Sequence, residues 1–312
     1  MNKRLLFTTT LLLLLLFSIV NSHASSPGTA GFEFLRTHIG ARPSAMGGAY
    51  VSLSGDIYSM YFNPAGLAGI SGRMATATYL NHVLDFQSGF AAYTQSLKNI
   101  GQVALGFNYM NYGDFDETTA AGEKVGSFSA GSLAVMGSVG RVINDQIKVG
   151  ASVKFIRSTI DTYSSNAVAL DAGAIYHVPF VEGLNVGVGI FNVGQAITAF
   201  VDEKDNLPMN FVIGASKSLA HLPLMWSVSV NKYIDDDVRV NVGAEFTMAE
   251  GFYLRLGYNS LGSDQKVGAD SDQFAGVSFG LGMDWRQYEL DYAVSSFGAI
   301  GYLNRLSFTY AF

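Results

Sequence analysis

The run Arg305-Leu-Ser-Phe-Thr-Tyr-Ala-Phe312 sets Leu306, Phe308, Tyr310 and Phe312 against Arg305, Ser307, Thr309 and Ala311. Side chains alternate across a β-strand, so this segment has one aromatic face and one small or polar face. A soluble sheet hides such a face in a core, whereas a barrel in a bilayer turns it toward lipid and keeps the polar face in its lumen. Outer-membrane barrels end on this pattern. Phe308, Tyr310 and Phe312 therefore read as a C-terminal barrel signature, with outer-membrane lipid and the barrel assembly machinery as expected partners of the last strand.

The pattern recurs along the chain. From residue 72 onward the sequence divides into about fourteen extended segments, most of them near the length a tilted membrane strand requires. They cover 73–80, 86–97, 102–112, 128–141, 147–160, 167–177, 183–193, 209–218, 224–233, 238–247, 252–261, 274–284, 287–296 and 302–312. In one of them Val238, Val240, Val242, Ala244 and Phe246 face away from Arg239, Asn241, Gly243 and Glu245. A two-layer soluble sandwich shows the same alternation but buries its aromatic face. With 35 Gly, 22 Phe and 16 Tyr against 6 Pro, and no apolar run after the first residues long enough for a spanning helix, composition favours the barrel. No basic patch points to nucleic acid.

Connection lengths give a second test, because bacterial barrels place short turns on the periplasmic side and longer loops outside. If the first strand runs outward, the periplasmic links 98–101, 142–146, 219–223, 248–251 and 285–286 are short. The longest links, 113–127, 194–208 and 262–273, fall on the opposite side, where the tight link 234–237 is the exception. At the N-terminus, Lys3 and Arg4 precede an apolar run to Val20, followed by small residues at Ser22 and Ala24. Residues 1–24 read as a cleaved signal peptide, with an uncleaved anchor as the alternative. The absence of Cys excludes a lipoprotein anchor and disulfides.

Residues 25–71 precede the barrel, 72–312, and carry Phe32, Phe34, Leu35, Ile39, Met46, Tyr50, Tyr58, Met60, Tyr61 and Phe62. A bore of about fourteen strands is wider than wall side chains can fill, so this apolar segment is the expected plug, or hatch. Within it, Asn63-Pro-Ala-Gly-Leu-Ala68 predicts a short helix with Asn63 as N-cap and Pro64 at its first position. Gly40, Gly47 and Gly48 supply backbone freedom for bends.

Two segments, Gly40-Ala-Arg-Pro-Ser-Ala-Met-Gly-Gly-Ala-Tyr-Val51 and Tyr61-Phe-Asn-Pro-Ala-Gly-Leu-Ala68, resemble the N-terminal signature of the PorV/PorQ family, which is related to FadL-type barrels. The resemblance assigns a hatch motif to Gly40, Arg42, Pro43, Met46, Gly47, Gly48, Tyr50, Asn63, Pro64, Ala65, Gly66 and Leu67, inside a fourteen-stranded outer-membrane barrel. It implies one of two non-enzymatic roles. The first is an accessory component in protein secretion or envelope assembly of the type IX kind, with secretion-system proteins as partners; this is the leading expectation. The alternative is a FadL-like passive transporter of long-chain fatty acids or other hydrophobic compounds. Phe32, Phe34, Met46, Tyr50, Tyr58 and Phe62 are candidates to line an apolar path, although packing a plug against a wall needs such residues too.

Lys154, Asp171, Arg239, Glu245, Arg255, Asp284, Glu289, Asp291 and Arg305 fall on the lumenal faces of their segments. Their mixed signs predict neutralising networks that brace hatch against wall rather than a polar solute path, with Arg42 as a partner for one of the carboxylates. Gly276-Val-Ser-Phe-Gly280 matches the nucleophile-elbow pattern of hydrolases, but its Ser278 lies within a strand rather than at a strand-to-helix turn. The His residues lack metal-ligand spacing, no phosphate-cradling loop is present, and no cofactor is expected.

Overall fold

The computed structural model describes residues 31–82 and 86–312; the expected signal peptide and residues 25–30 of the hatch lie outside them. From residue 74 the chain forms a closed antiparallel barrel of fourteen strands in sequence order, sealed by pairing of the first strand with the last. The strands are β1 (Met74–Asn81), β2 (Gln87–Leu97), β3 (Gly101–Thr118), β4 (Lys124–Val142), β5 (Ile147–Ile160), β6 (Tyr163–His177) and β7 (Leu184–Ala196). They continue as β8 (Asn210–Ser218), β9 (Leu224–Tyr233), β10 (Val238–Ala249), β11 (Phe252–Asn259), β12 (Val277–Trp285), β13 (Tyr288–Ser296) and β14 (Tyr302–Ala311).

The alternation read from the sequence decides which way every strand faces. On β14, Leu306 and Phe308 point outward and are half exposed, while Arg305, Ser307 and Thr309 point inward and are buried. The same holds on β12, where Phe279, Leu281 and Met283 face out against Ser278, Gly280 and Gly282. The outer surface is therefore a continuous apolar belt of the kind that meets lipid. Hydroxyls pair across the lumenal face of the seam: Thr76 with Thr309 and Thr78 with Ser307, both at 2.8 Å. Such cross-strand hydroxyl pairs fix register in addition to the backbone ladder. Among the described residues no helix is long and apolar enough to cross a membrane.

Three boundaries depart from the sequence reading. The expected loop 113–127 is largely strand, because β3 and β4 are 18 and 19 residues long and run past the membrane-spanning length as a protruding hairpin. A register shift between Asn111 and Asp114, around Gly113 at φ +78°, separates this arm from the wall. β6 begins at Tyr163 rather than 167, reducing its outer link to two residues, Asp161 and Thr162; the positive φ of Asp161 serves that tight turn. β12 begins at Val277, since residues 260–276 form a long loop with two 3-10 turns, Ser260–Gln265 and Asp270–Phe274. The short-turn end and the loop end of the barrel lie as the connection lengths predict.

Candidate functional site

Residues 31–73 enter the lumen and cross it from wall to wall. A short helix α1 (Ala41–Ala45) packs on β11 to β14, and after a second, α2 (Ser59–Phe62), the 3-10 turn Pro64–Gly69 packs on β3 to β6. Asn63 caps that turn as predicted, its Oδ1 accepting from Ala65 N at 3.1 Å. The Asn63 amide also donates to Val51 O at 2.7 Å and to Ala174 O of β6 at 3.2 Å, so one buried side chain holds hatch to hatch and hatch to wall. The element is a 3-10 turn rather than an α-helix.

This close seat depends on glycines on the inner face of the wall. A Cβ on Gly140, Gly150 or Gly173 would run into Pro64, Ala65, Ala68 or Asn63, and one on Gly243, Gly257 or Gly280 would run into residues 45–47. The glycines occupy the inward positions of their strands, where a bore lined by larger side chains would leave the hatch backbone no room. The sequence showed this only in fragments, because an inward glycine looks like any strand glycine until the hatch is placed opposite it.

Charged side chains complete the attachment. Arg42 of α1 forms two parallel hydrogen bonds with Glu245 of β10, Nε to Oε2 at 2.8 Å and Nη2 to Oε1 at 2.9 Å, and donates from Nη1 to Asp56 at 3.0 Å. Tyr50 donates its hydroxyl to Asp56. Glu245 in turn accepts from Arg255 Nε at 2.6 Å, and Arg255 reaches Asp291 of β13. The chain Tyr50–Asp56–Arg42–Glu245–Arg255–Asp291 thus ties the hatch to three strands. On the opposite wall Lys154 of β5 pairs with Asp171 of β6 at 2.8 Å and donates to Asn192 Oδ1 at 2.8 Å, with the Tyr61 ring over its ammonium. That pair links wall strand to wall strand. Arg239 lies at the loop end, bound to Asp236 and Asp264 at 2.6 and 2.8 Å. Asp284 is solvent-exposed at the turn end, with the half-buried Glu289 opposite it in register.

The aromatic candidates fall in two separate clusters. Phe32 and Phe34 pack with Leu35, Met110 and Ile156, whereas Met46, Tyr50 and Tyr58 pack with Ile39, Met60 and Phe90, with Phe62 at the margin. The Tyr58 hydroxyl sits between Thr76 and Thr78 at 2.8 and 3.0 Å, and burial pushes its pKa up to about 12. None of these aromatics lines the main lumenal cavity. That cavity, about 430 Å³, lies toward the loop end between the hatch and β9 to β14. Its floor includes Thr37, His38 and Gly47, and its walls Tyr233, Asn241, Asn259, Ser278, Ser295 and Arg305. Burial, and next the positive charge of Arg305, hold His38 neutral, with a pKa lowered to about 4. His38 and the cavity-lining loop residues carried no signal in the sequence that set them apart from other polar residues.

Ser278 is the second residue of β12, and its hydroxyl donates to Ser295 at 3.0 Å rather than to a base. The strand continues beyond it, so the G-x-S-x-G match lacks the elbow that a nucleophile needs. Among the described residues no group of His, Asp and Glu is placed to hold a metal ion.

No protein-family model matches the chain, and no curated protein matches it. Solved structures do. The toluene transporter TbuX of Ralstonia pickettii is 13% identical, with TM-score 0.62 over 88% of this chain and 98% of that one. The P. putida toluene transporter TodX gives 12% identity and TM-score 0.62 over the same shares. A Pseudomonas aeruginosa FadL homologue gives 12% identity and TM-score 0.55 over 85% of this chain and 96% of that one. At these identities the likeness is one of fold: the chain is a closed fourteen-stranded antiparallel barrel matching the FadL-like outer-membrane barrels.

Proposed function

We propose that this protein is an outer-membrane channel for passive entry of small hydrophobic compounds. The observation that carries the reading is the combination of a closed lipid-facing barrel, a hatch fastened across its lumen, and a cavity above that hatch toward the loop end, in a fold similar to toluene transporters. An open water channel needs no plug. A hydrophobic solute instead benefits from a short, water-poor route, and the hatch keeps ions from following it. On this reading the long-loop end faces outside and the protein resides in the outer membrane of a Gram-negative-type bacterium. No catalytic step is required of it.

The test is uptake of radiolabelled toluene by vesicles containing the purified barrel, against empty vesicles and vesicles containing an unrelated barrel. Faster equilibration than in both controls supports the reading, and rates equal to the controls reject it. The similarity of Gly40–Val51 and Tyr61–Ala68 to the PorV/PorQ signature supports a second reading, an accessory role in secretion, but it rests on those segments alone. Stoichiometric recovery of secretion-machinery polypeptides with the barrel, purified in mild detergent from its native envelope, would move that reading ahead.

A further inference from the structure

Arg305 differs from the other buried cations of the lumen. Arg36 lies against Asp235 and Asp236, Arg42 against Asp56 and Glu245, Lys154 against Asp171, Arg239 against Asp236, and Arg255 against Glu245 and Asp291. Arg305 is only 4% exposed, yet its hydrogen bonds go to two neutral acceptors, His38 O at 3.2 Å and Ser295 Oγ at 3.0 Å. Among the described residues no carboxylate pairs with it. A guanidinium removed from water without a counter-charge is costly, and the cost is recovered only when an anion arrives. Arg305 lines the 430 Å³ cavity, a volume within the range of small-molecule sites. The carboxylates that share the lining, Glu33 and Asp236, lie beside Arg36 and Arg239 and are already paired.

We propose that this cavity is a binding site for a small organic monocarboxylate, whose carboxylate supplies the counter-ion that Arg305 lacks and whose compact apolar body rests against Phe86, Leu261, Phe297 and Leu303. The wall chemistry sets the size. Asn231, Asn241, Asn259, Ser278 and Ser296 interrupt the apolar lining and the hatch closes the floor, so among the described residues the cavity of about 430 Å³ suits a compact body rather than a long alkyl tail. An aryl or short branched acid fits, and a dianion would bring one charge that no unpaired cation among the described lining residues meets. The inference rests on the proposed role as a small-molecule channel and names one class of compound that it would hold.

The experiment is isothermal titration of the detergent-purified full chain with benzoate and with benzamide, the neutral amide of nearly the same shape. Benzoate is expected to bind at least ten-fold tighter than benzamide, and Arg305→Gln to bring benzoate down to the benzamide level while leaving benzamide within two-fold. Equal binding of the two probes by the unmodified protein, or no binding of benzoate, overturns the proposal. That comparison needs no variant, so it decides the matter even if Arg305→Gln loses the heat-modifiable gel mobility of a folded barrel. Toluene uptake separates the two readings: passage of toluene without benzoate preference rejects the carboxylate site alone, and benzoate preference without toluene passage rejects hydrocarbon entry alone.

Discussion

Arg42 of the hatch and Glu245 of β10 meet through two parallel hydrogen bonds, at 2.8 and 2.9 Å, across 203 residues of sequence. This bidentate geometry is specific to a guanidinium facing a carboxylate, and it fixes the angle at which α1 leans on the wall. The fastening is charged because an apolar contact alone would not determine the rotation of a helix only five residues long.

Removal of that guanidinium leaves Glu245 with Arg255 alone and Asp56 with the Tyr50 hydroxyl and the backbone N of Tyr58, both inside the barrel. Arg42→Leu is expected to destabilise the hatch by about 3 kcal/mol, the scale for breaking one side of a buried ion pair. Limited proteolysis in detergent should show faster cleavage within residues 31–73 while the barrel keeps its heat-modifiable mobility. Unchanged cleavage would show that Arg42 does not hold the hatch.

Gly150 faces the backbone of Pro64 and Ala65. A valine there has nowhere to go without moving the hatch, and overpacking of this kind costs roughly 1–3 kcal/mol. Gly150→Val is expected to leave barrel assembly intact and to raise uptake of bulky antibiotics by whole cells. An outward glycine such as Gly137, whose Cβ would meet only a side-chain methyl of Val153, should accept the same change without such leakage.

Lys154 and Asp171 are 3% and 0% exposed at their side chains. Lys154→Met strands the carboxylate and is expected to cost about 3–5 kcal/mol in urea-induced unfolding. Lys154→Met with Asp171→Asn should recover most of the loss, because the amide oxygen still accepts from Asn192 N, which Asp171 now holds at 2.8 Å. Failure of the second change to recover stability would count against simple charge compensation.

His38 carries a pKa lowered to about 4, against an ordinary value of about 6.5 in the unfolded chain. Below 6.5 the unfolded chain takes up a proton that the folded hatch refuses. Stability therefore falls as pH drops from 6.5 toward 4 and levels off below 4. His82, in the loop after β1, is lowered to about 4 as well and contributes the same sign. His38→Gln with His82→Gln should flatten the slope of hatch stability between pH 6.5 and 4, followed by the same proteolysis.

Leu281 and Leu306 project from the outer belt and are about half exposed. If that belt meets lipid, Leu281→Arg should cost about 2–4 kcal/mol near the bilayer midplane, measured by urea titration of folding into vesicles. The same substitution in a detergent-free soluble protein would be nearly neutral, so a null effect would argue against a bilayer around β12.

Alternation in Leu306, Phe308 and Tyr310, repeated along the chain, sufficed to indicate about fourteen strands and the facing of those where it is clear, because the period of two is a local property of extended backbone, while connection lengths told the barrel's two ends apart. The Asn63-Pro64 cap and the apolar excess of residues 25–71 likewise announced a folded plug, and lumenal parity placed Glu245 among the carboxylates that Arg42 of the hatch could meet, without singling it out. What lay beyond the sequence was every relation between the hatch and a particular strand. That Gly150 must be small because Pro64 lies on it, that β3 and β4 continue as an arm, and that Arg305 alone among the named lumenal cations has no carboxylate paired with it all depend on how the plug is rotated in the bore. Rotation of one body inside another is set by many long-range contacts at once, and it leaves no periodic trace in the chain.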